Sequence, residues 1–112
     1  MNHRPERVSS LIQEELGNLI LREVEFEPGV LVTITYVDVA SDLARAKVGV
    51  SALPSEKAPL AMAHLREKAK ELQFQLLRKI NIKPMPQIIF EIDRGLEHAA
   101  EVEKALLEDN NK

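Results

Sequence analysis

Residues 58–93 of the chain read APLAMAHLREKAKELQFQLLRKINIKPMPQIIFEID, and this stretch decides the fold. Its apolar residues recur at alternating steps of three and four, a spacing that places them on one face of a helix. The members of this apolar stripe are Ala58, Met62, Leu65, Ala69, Leu72, Leu76 and Ile80. Such a face must be buried, so we expect the rest of the chain to form a scaffold that packs against it.

The charged residues of this stretch lie mostly off the apolar stripe. Residues 66 to 83 contain six Lys or Arg against two acids, Glu67 and Glu71. The whole chain has a formal net charge of −3, which argues against non-specific coating of nucleic acid, because that mode neutralises many phosphates. The sequence therefore predicts a local cationic patch that suits an anionic partner.

The end of the stretch predicts a change from helix to strand. The helical pattern from Glu56 to Lys79 is longer than the usual globular helix, so we expect a bend inside it, around residues 69–71. Pro84 and Pro86 prevent the helix from continuing, and QIIFEID at residues 87–93 alternates as a strand does. A strand reached by a helical crossover implies a parallel neighbour in the sheet.

The preceding segments predict one helix and two strands. Residues 5–23 carry a helical apolar stripe, and Val30–Ala40 is rich in β-branched residues. The run Ala44–Leu53 alternates small or apolar residues with polar ones, so it reads as a strand with one wet face. We expect these two strands to pair antiparallel, with Arg45 and Lys47 pointing outward.

The predicted element order is helix, strand, strand, helix, helix, strand. A three-stranded sheet with helices on one face is the economical α+β arrangement for this order. With 112 residues the chain has the size of one compact domain, which we assign to residues 1–95. Residues 96–112 predict a short C-terminal helix as a tail, because Leu96, Ala99, Val102 and Leu106 recur at helical spacing.

The motifs of enzymes and metal sites are absent from the sequence. Cysteine is lacking, and His3, His64 and His98 have no metal-ligand spacing. Neither a phosphate-binding glycine loop nor a nucleophile motif occurs, so we expect no enzyme activity and no cofactor. The N-terminus has no signal-peptide character and no apolar run approaches membrane-spanning length, so we expect a cytoplasmic protein with no membrane partner.

Several short motifs occur in a characteristic order. They are Arg4-x-x-Arg7-Val8, Val32-Thr33-Ile34-Thr35, Ser41-Asp42-Leu43, Ala46-Lys47-Val48 with Val50-Ser51, and Pro86-x-Ile88-x-Phe90-x-x-Asp93. In this order and spacing the chain resembles the bacterial ribosome-binding factor A family over residues 4–93. In that family a small-residue Ala-x-Gly kink separates the second and third helices, whereas Lys68 and Lys70 occupy those positions here.

The resemblance implies a type II KH-like fold and a non-enzymatic factor that acts as a monomer. It implies binding to the free small (30S) ribosomal subunit during late maturation of its 16S rRNA, without a small-molecule substrate. The sequence contains no GxxG loop, so clamping of single-stranded bases in the manner of ordinary KH domains is disfavoured. The predicted rRNA contacts are Arg4, Arg7, Arg45, Lys47, Arg66, Lys68, Lys70, Arg78, Lys79 and Lys83.

Two other functions remain open at this point. The tail helix could dock on a protein partner through Leu96, Val102 and Leu106, in which case salt would weaken binding only slightly. A small hydrolase of ferredoxin-like shape would need a phosphate-binding Arg with a polar partner at a helix start, and the sequence shows neither.

Overall fold

The computed structural model of the chain describes residues 5–95, and its element order is the predicted one. Its elements are α1 (Pro5–Glu23), β1 (Leu31–Val39), β2 (Arg45–Leu53), a short 3₁₀ turn (Ser55–Lys57), α2 (Ala58–Glu67), α3 (Ala69–Lys79) and β3 (Gln87–Ile92). The first helix has the predicted bounds, and each strand ends within one residue of its predicted limits. The predicted C-terminal helix lies outside the described residues.

The three strands form one sheet in the order β1-β2-β3. The pair β1/β2 is antiparallel and the pair β2/β3 is parallel, so both pairing predictions are confirmed. The register of β1 shifts between Ile34 and Tyr36, which leaves Thr35 as an extra residue in a β-bulge. After this bulge, Tyr36 and Asp38 lie opposite Gly49 and Lys47 of β2.

The fold has two layers, with the three helices on one face of the sheet. Along β2, the residues Ala46, Val48 and Val50 are buried against the helices, whereas Arg45 and Lys47 are exposed on the other face. Successive side chains of a strand point to opposite faces, so this alternation separates a helix-covered face from an open face. The predicted outward position of Arg45 and Lys47 is therefore confirmed.

The core lies between the helices and the covered face of the sheet. In α1, the residues Val8, Ile12, Leu16, Leu19 and Ile20 are buried at helical spacing. The apolar stripe predicted for the middle helices is likewise buried, except that Ala69 is half-buried. Within residues 5–95 no polar or charged side chain is buried. The same residues contain no helix long and apolar enough to cross a membrane.

The long helical stretch is interrupted at Lys68, one residue before the predicted range of 69–71. Lys68 has φ −93° and ψ 1°, a backbone conformation outside the helical region, and it separates α2 from α3. The position of the break follows from packing, since α2 lies against β2 and β3 whereas α3 lies mainly against α1. The predicted position was therefore wrong by one residue, although the bend itself exists.

One side chain ties α3 to the start of β3. The amide nitrogen Nε2 of Gln73 donates a hydrogen bond to the carbonyl oxygen of Pro86 at 2.8 Å. Its Oε1 accepts a hydrogen bond from the backbone N–H of Ile88, also at 2.8 Å. These two hydrogen bonds fix the orientation of α3 relative to the sheet. They therefore also fix the direction in which the outer side of α3 points.

Candidate functional site

The predicted contact residues that lie within residues 5–95 number nine, and all nine are exposed to solvent. Arg4 lies outside the described residues. Arg7 is on α1, in the helix layer. We call the cations of α2, α3 and the following loop the helix group: Arg66, Lys68, Lys70, Arg78, Lys79 and Lys83. We call Arg45 and Lys47 the sheet pair.

The helix group and the sheet pair lie on different faces of the molecule. The cations of α2 and α3 are exposed on the helix layer and Lys83 is exposed in the loop before β3, while the sheet pair projects from the open face of the sheet. The sequence prediction treats all ten cations as one set. The structure does not bring them together on one surface, because the sheet and the core lie between the cations of α2 and α3 and the sheet pair.

The acids near the helix group gather around Lys68. Glu71 lies 3.6 Å from the Nζ of Lys68, and both side chains are about half exposed, at 50% and 47%. Such a solvated ion pair contributes only about 0 to 1 kcal/mol of stability, so it is readily exchanged for another partner. Lys68 also borders a shallow depression that contains Glu23, Glu25 and Glu67. The strongest cationic part of the helix group is therefore further along, on α3.

The outer side of α3 presents an aromatic ring between cations, which the sequence prediction missed. Phe74 is 59% exposed, and the guanidinium carbon of Arg78 stands 5.9 Å from the centre of its ring. Lys70, Phe74 and Arg78 follow one another at intervals of four residues, so they share one face of the helix. This spacing, off the buried stripe, was the signal in the sequence that could have identified Phe74.

The sheet pair has mixed surroundings. Lys47 lies opposite Asp38 on one neighbouring strand and Ile89 on the other, and Arg45 lies opposite Gln87. Further along the open face, the ring of Tyr36 lies over Gly49, and its hydroxyl donates a hydrogen bond to the carboxylate of Glu91. The open face therefore carries cations at one end and acids near its middle.

Potential metal ligands are not clustered in the part of the chain that the structure describes. No cluster of three or more His, Asp or Glu residues is placed to hold a metal ion within residues 5–95. His64 packs edge-on against the ring of Phe26, with the ring centres 6.4 Å apart. His3 and His98 lie outside the described residues. The described surface offers charge, one exposed aromatic ring and several exposed aliphatic side chains, among them Leu21 and Leu31.

Proteins of known family are similar to this chain over nearly its whole length. The family model described as ribosome-binding factor A matches residues 4–106. The protein of that name from Desulforamulus reducens is 32% identical, in an alignment that covers 100% of this chain and 94% of the relative. The chain belongs to the ribosome-binding factor A family. The resemblance carried by the short motifs is thereby confirmed.

Solved structures of ribosome-binding factor A share the fold. The crystal structure from Thermus thermophilus superposes with a TM-score of 0.69 at 20% identity, and the match covers 83% of this chain and 100% of that one. A homology model of Thermus thermophilus ribosome-binding factor A, fitted into the cryo-EM map of its 30S complex, gives a TM-score of 0.64 at 22% identity, with a match that covers 76% of this chain and 90% of that one. These likenesses confirm the α+β, type II KH-like architecture.

Proposed function

We propose that the chain is a non-enzymatic assembly factor that binds the small (30S) ribosomal subunit and assists late maturation of its 16S rRNA. Membership of the ribosome-binding factor A family supports the choice of subunit, as does the 30S complex of the Thermus thermophilus relative. The observation that carries the mode of binding is the helix group. It places an excess of cations on one exposed side of an otherwise acidic chain.

The charge of the helix group matches the backbone of RNA. Residues 66–83 carry six Lys or Arg against two acids, an excess of four. The acids Glu23, Glu25 and Glu67 lie close to Lys68 rather than to Arg78 and Lys79 at the end of α3, while Glu71 pairs with Lys68. Contacts to phosphates supply most of the affinity for nucleic acids and fix the orientation of the protein, whereas they read no sequence. We therefore propose that the helix group provides the principal contacts to folded rRNA.

The remaining predicted contacts have a lesser role in this proposal. Arg7 is exposed on α1, a different helix from those that carry the helix group. The sheet pair faces away from the helix layer, and Lys47 has Asp38 as its neighbour across the strand pair. An rRNA element that binds the helix group would reach the sheet pair only by passing around the edge of the domain.

Co-sedimentation with purified small subunits tests the proposal. The variant Lys68→Glu/Lys70→Glu changes the charge of the helix group by the same amount as Lys104→Glu/Lys112→Glu changes the C-terminal segment. We expect the first variant to weaken binding at least about tenfold, the equivalent of about 1.4 kcal/mol, and the second to weaken it much less. Circular dichroism would verify that both variants fold. Equal losses would contradict the placement of the contacts.

The maturation role needs a separate test in cells. In a strain that lacks its own factor, the chain should reduce the fraction of 16S rRNA with unprocessed 5′ ends, as measured by primer extension. The variant Lys68→Glu/Lys70→Glu should do so less well at the same protein level. If the chain binds subunits but leaves the unprocessed fraction unchanged, the maturation role is wrong while subunit binding stands.

A further inference from the structure

The outer side of α3 combines two chemical features that a nucleotide requires. Phe74 offers an aromatic ring that is 59% exposed, and Arg78 and Lys70 offer positive charge one helical turn to either side. Unpaired bases stack on aromatic side chains, while their phosphates contact Lys and Arg. A surface of solvated ion pairs would not explain the exposed ring of Phe74. An apolar contact surface would not explain the charges of Arg78 and Lys70.

The position of the Phe74 ring is restrained by Arg78 and by the packing of α3. The guanidinium of Arg78 stands over the ring with 5.9 Å between its carbon and the ring centre, just inside the outer limit of about 6 Å for a cation–π contact. Although Arg78 covers part of the ring, most of the side chain remains open to solvent. Leu72 and Leu76, two residues before and two residues after Phe74, are buried, so the helix that carries Phe74 is fixed in the core.

A depression adjoins the ring on the same helix. It has a volume of about 460 Å³ and is lined by Glu71, Phe74, Gln75, Arg78 and Lys79. The side-chain amide of Gln75 donates to Glu71 across a long 3.4 Å contact, so it can exchange that partner for the edge of a base. The two cations at the border, Arg78 and Lys79, favour an anionic group such as a phosphate over a neutral apolar partner.

We infer that Phe74 is the stacking platform for one unpaired nucleotide of the bound RNA, with Arg78 and Lys70 holding the phosphates on either side. This inference rests on the proposed binding of the small subunit, because it names one specific contact within that surface. It differs from clamping by a GxxG loop, which the chain lacks, since the base lies on a helix surface instead of in a backbone groove. It also gives the helix group a contact that does not depend on charge.

The first test is affinity for purified small subunits at fixed salt. Phe74→Leu removes the ring but keeps an apolar, helix-compatible side chain, and it should weaken binding at least about fivefold, the lower end of the effect of losing one stacked base. Phe74→Trp retains a stacking surface and should restore the affinity. The matched control is Leu77→Ala, which removes an exposed apolar side chain, 45% exposed, from the same helix. This control should bind as the unchanged chain does.

The second test identifies the contact by ultraviolet crosslinking of the full chain on the small subunit, followed by nuclease and trypsin digestion and mass spectrometry. Cleavage after Lys70 and Arg78 releases the peptide of residues 71–78, in which Phe74 is the one aromatic residue. We expect a nucleotide adduct on Phe74 that is lost in Phe74→Leu and present in Phe74→Trp. Equal weakening by Phe74→Leu and Leu77→Ala without an adduct would indicate an apolar protein contact and overturn the inference.

Failure of small-subunit binding and failure of the Phe74 stacking site would give different experimental results. If the unchanged chain does not bind the small subunit, the proposed function itself is wrong, and the stacking site is wrong with it. If the chain binds and Lys68→Glu/Lys70→Glu weakens binding, but Phe74→Leu binds normally and yields no change in adducts, only the stacking site is wrong.

Discussion

The hydroxyl of Tyr36 on β1 donates a hydrogen bond to the carboxylate of Glu91 on β3, across the whole width of the central strand β2. The ring of Tyr36 can cross because Gly49, its partner on β2, has no side chain on that face. The β-bulge at Thr35 brings Tyr36 onto the open face, since without the extra residue it would point into the core. The two edge strands are thereby joined directly.

This bond has a measurable consequence for the ionisation of Tyr36. The hydrogen bond to Glu91, followed by partial burial and the charge of Glu91, raises the pKa of Tyr36 from 10.0 to about 12. Because the folded-state pKa is raised, the stabilisation is complete below about pH 10 and is lost as the pH rises through about 12. Tyr36 is the single tyrosine of the chain, which also lacks tryptophan, so its titration is directly visible.

We predict that near-ultraviolet absorbance will titrate Tyr36 with a midpoint near 12 in the unchanged chain. In Glu91→Gln the midpoint should move toward 10, because the charge is lost while an acceptor oxygen remains. Circular dichroism recorded over the same pH range ensures that the folded state is being titrated. An identical midpoint in the two proteins would rule out the charge of Glu91 as a cause of the shift.

The space occupied by Tyr36 predicts opposite effects of two glycine substitutions. A Cβ added at Gly49 would overlap the ring of Tyr36, so Gly49→Ala should lower the free energy of unfolding by about 1 to 3 kcal/mol. Gly17 lies inside α1 with nothing near its missing Cβ, so Gly17→Ala should raise it by about 0.5 to 1 kcal/mol. Urea denaturation measures both, and effects of the same sign would contradict this reading of the two sites.

The two hydrogen bonds of Gln73 predict that removal of its side chain lowers the free energy of unfolding and loosens α3 against β3. Gln73→Ala leaves the N–H of Ile88 and the C=O of Pro86 without their partner, so it should cost about 1 to 3 kcal/mol. The matched control is Gln75→Ala, which loses one long contact to Glu71 and should cost less than about 0.5 kcal/mol.

Hydrogen exchange distinguishes this cause from a general loss of stability. In Gln73→Ala the amide of Ile88 should exchange faster by more than the change in global stability accounts for, while core amides of α1 follow the global change. Uniform acceleration over all amides would show that Gln73 contributes to the core and does not specifically hold α3 against β3.

The helices and strands of this fold could be predicted because each follows from a local pattern of apolar and polar residues. The helix at residues 5–23 has the same bounds in prediction and structure, because its stripe is uninterrupted and Pro5 suits a first turn. Strand pairing followed from loop length and the helical crossover. The position of the break at Lys68 was missed because it depends on which surfaces α2 and α3 pack against, and no Gly or Pro marks it.

The arrangement of the candidate site could be predicted from the sequence less completely than the fold. Exposure of the cations was predicted correctly, yet their division into two faces follows only when the strand alternation of Arg45 and Lys47 is combined with the side on which the helices lie. The bond between Tyr36 and Glu91 joins residues 55 positions apart and depends on a bulge. Such long-range relationships have no local signature.

The salt dependence of binding to purified small subunits tests the central claim most directly, namely that the helix group binds rRNA through its charge. The association constant of the unchanged chain should fall steeply with salt. Lys70→Gln/Arg78→Gln should lower the slope of log K against log salt by about two, about one for each lost phosphate contact, while Arg45→Gln/Lys47→Gln should change it little. A flat dependence, or equal changes in both double variants, would contradict the claim.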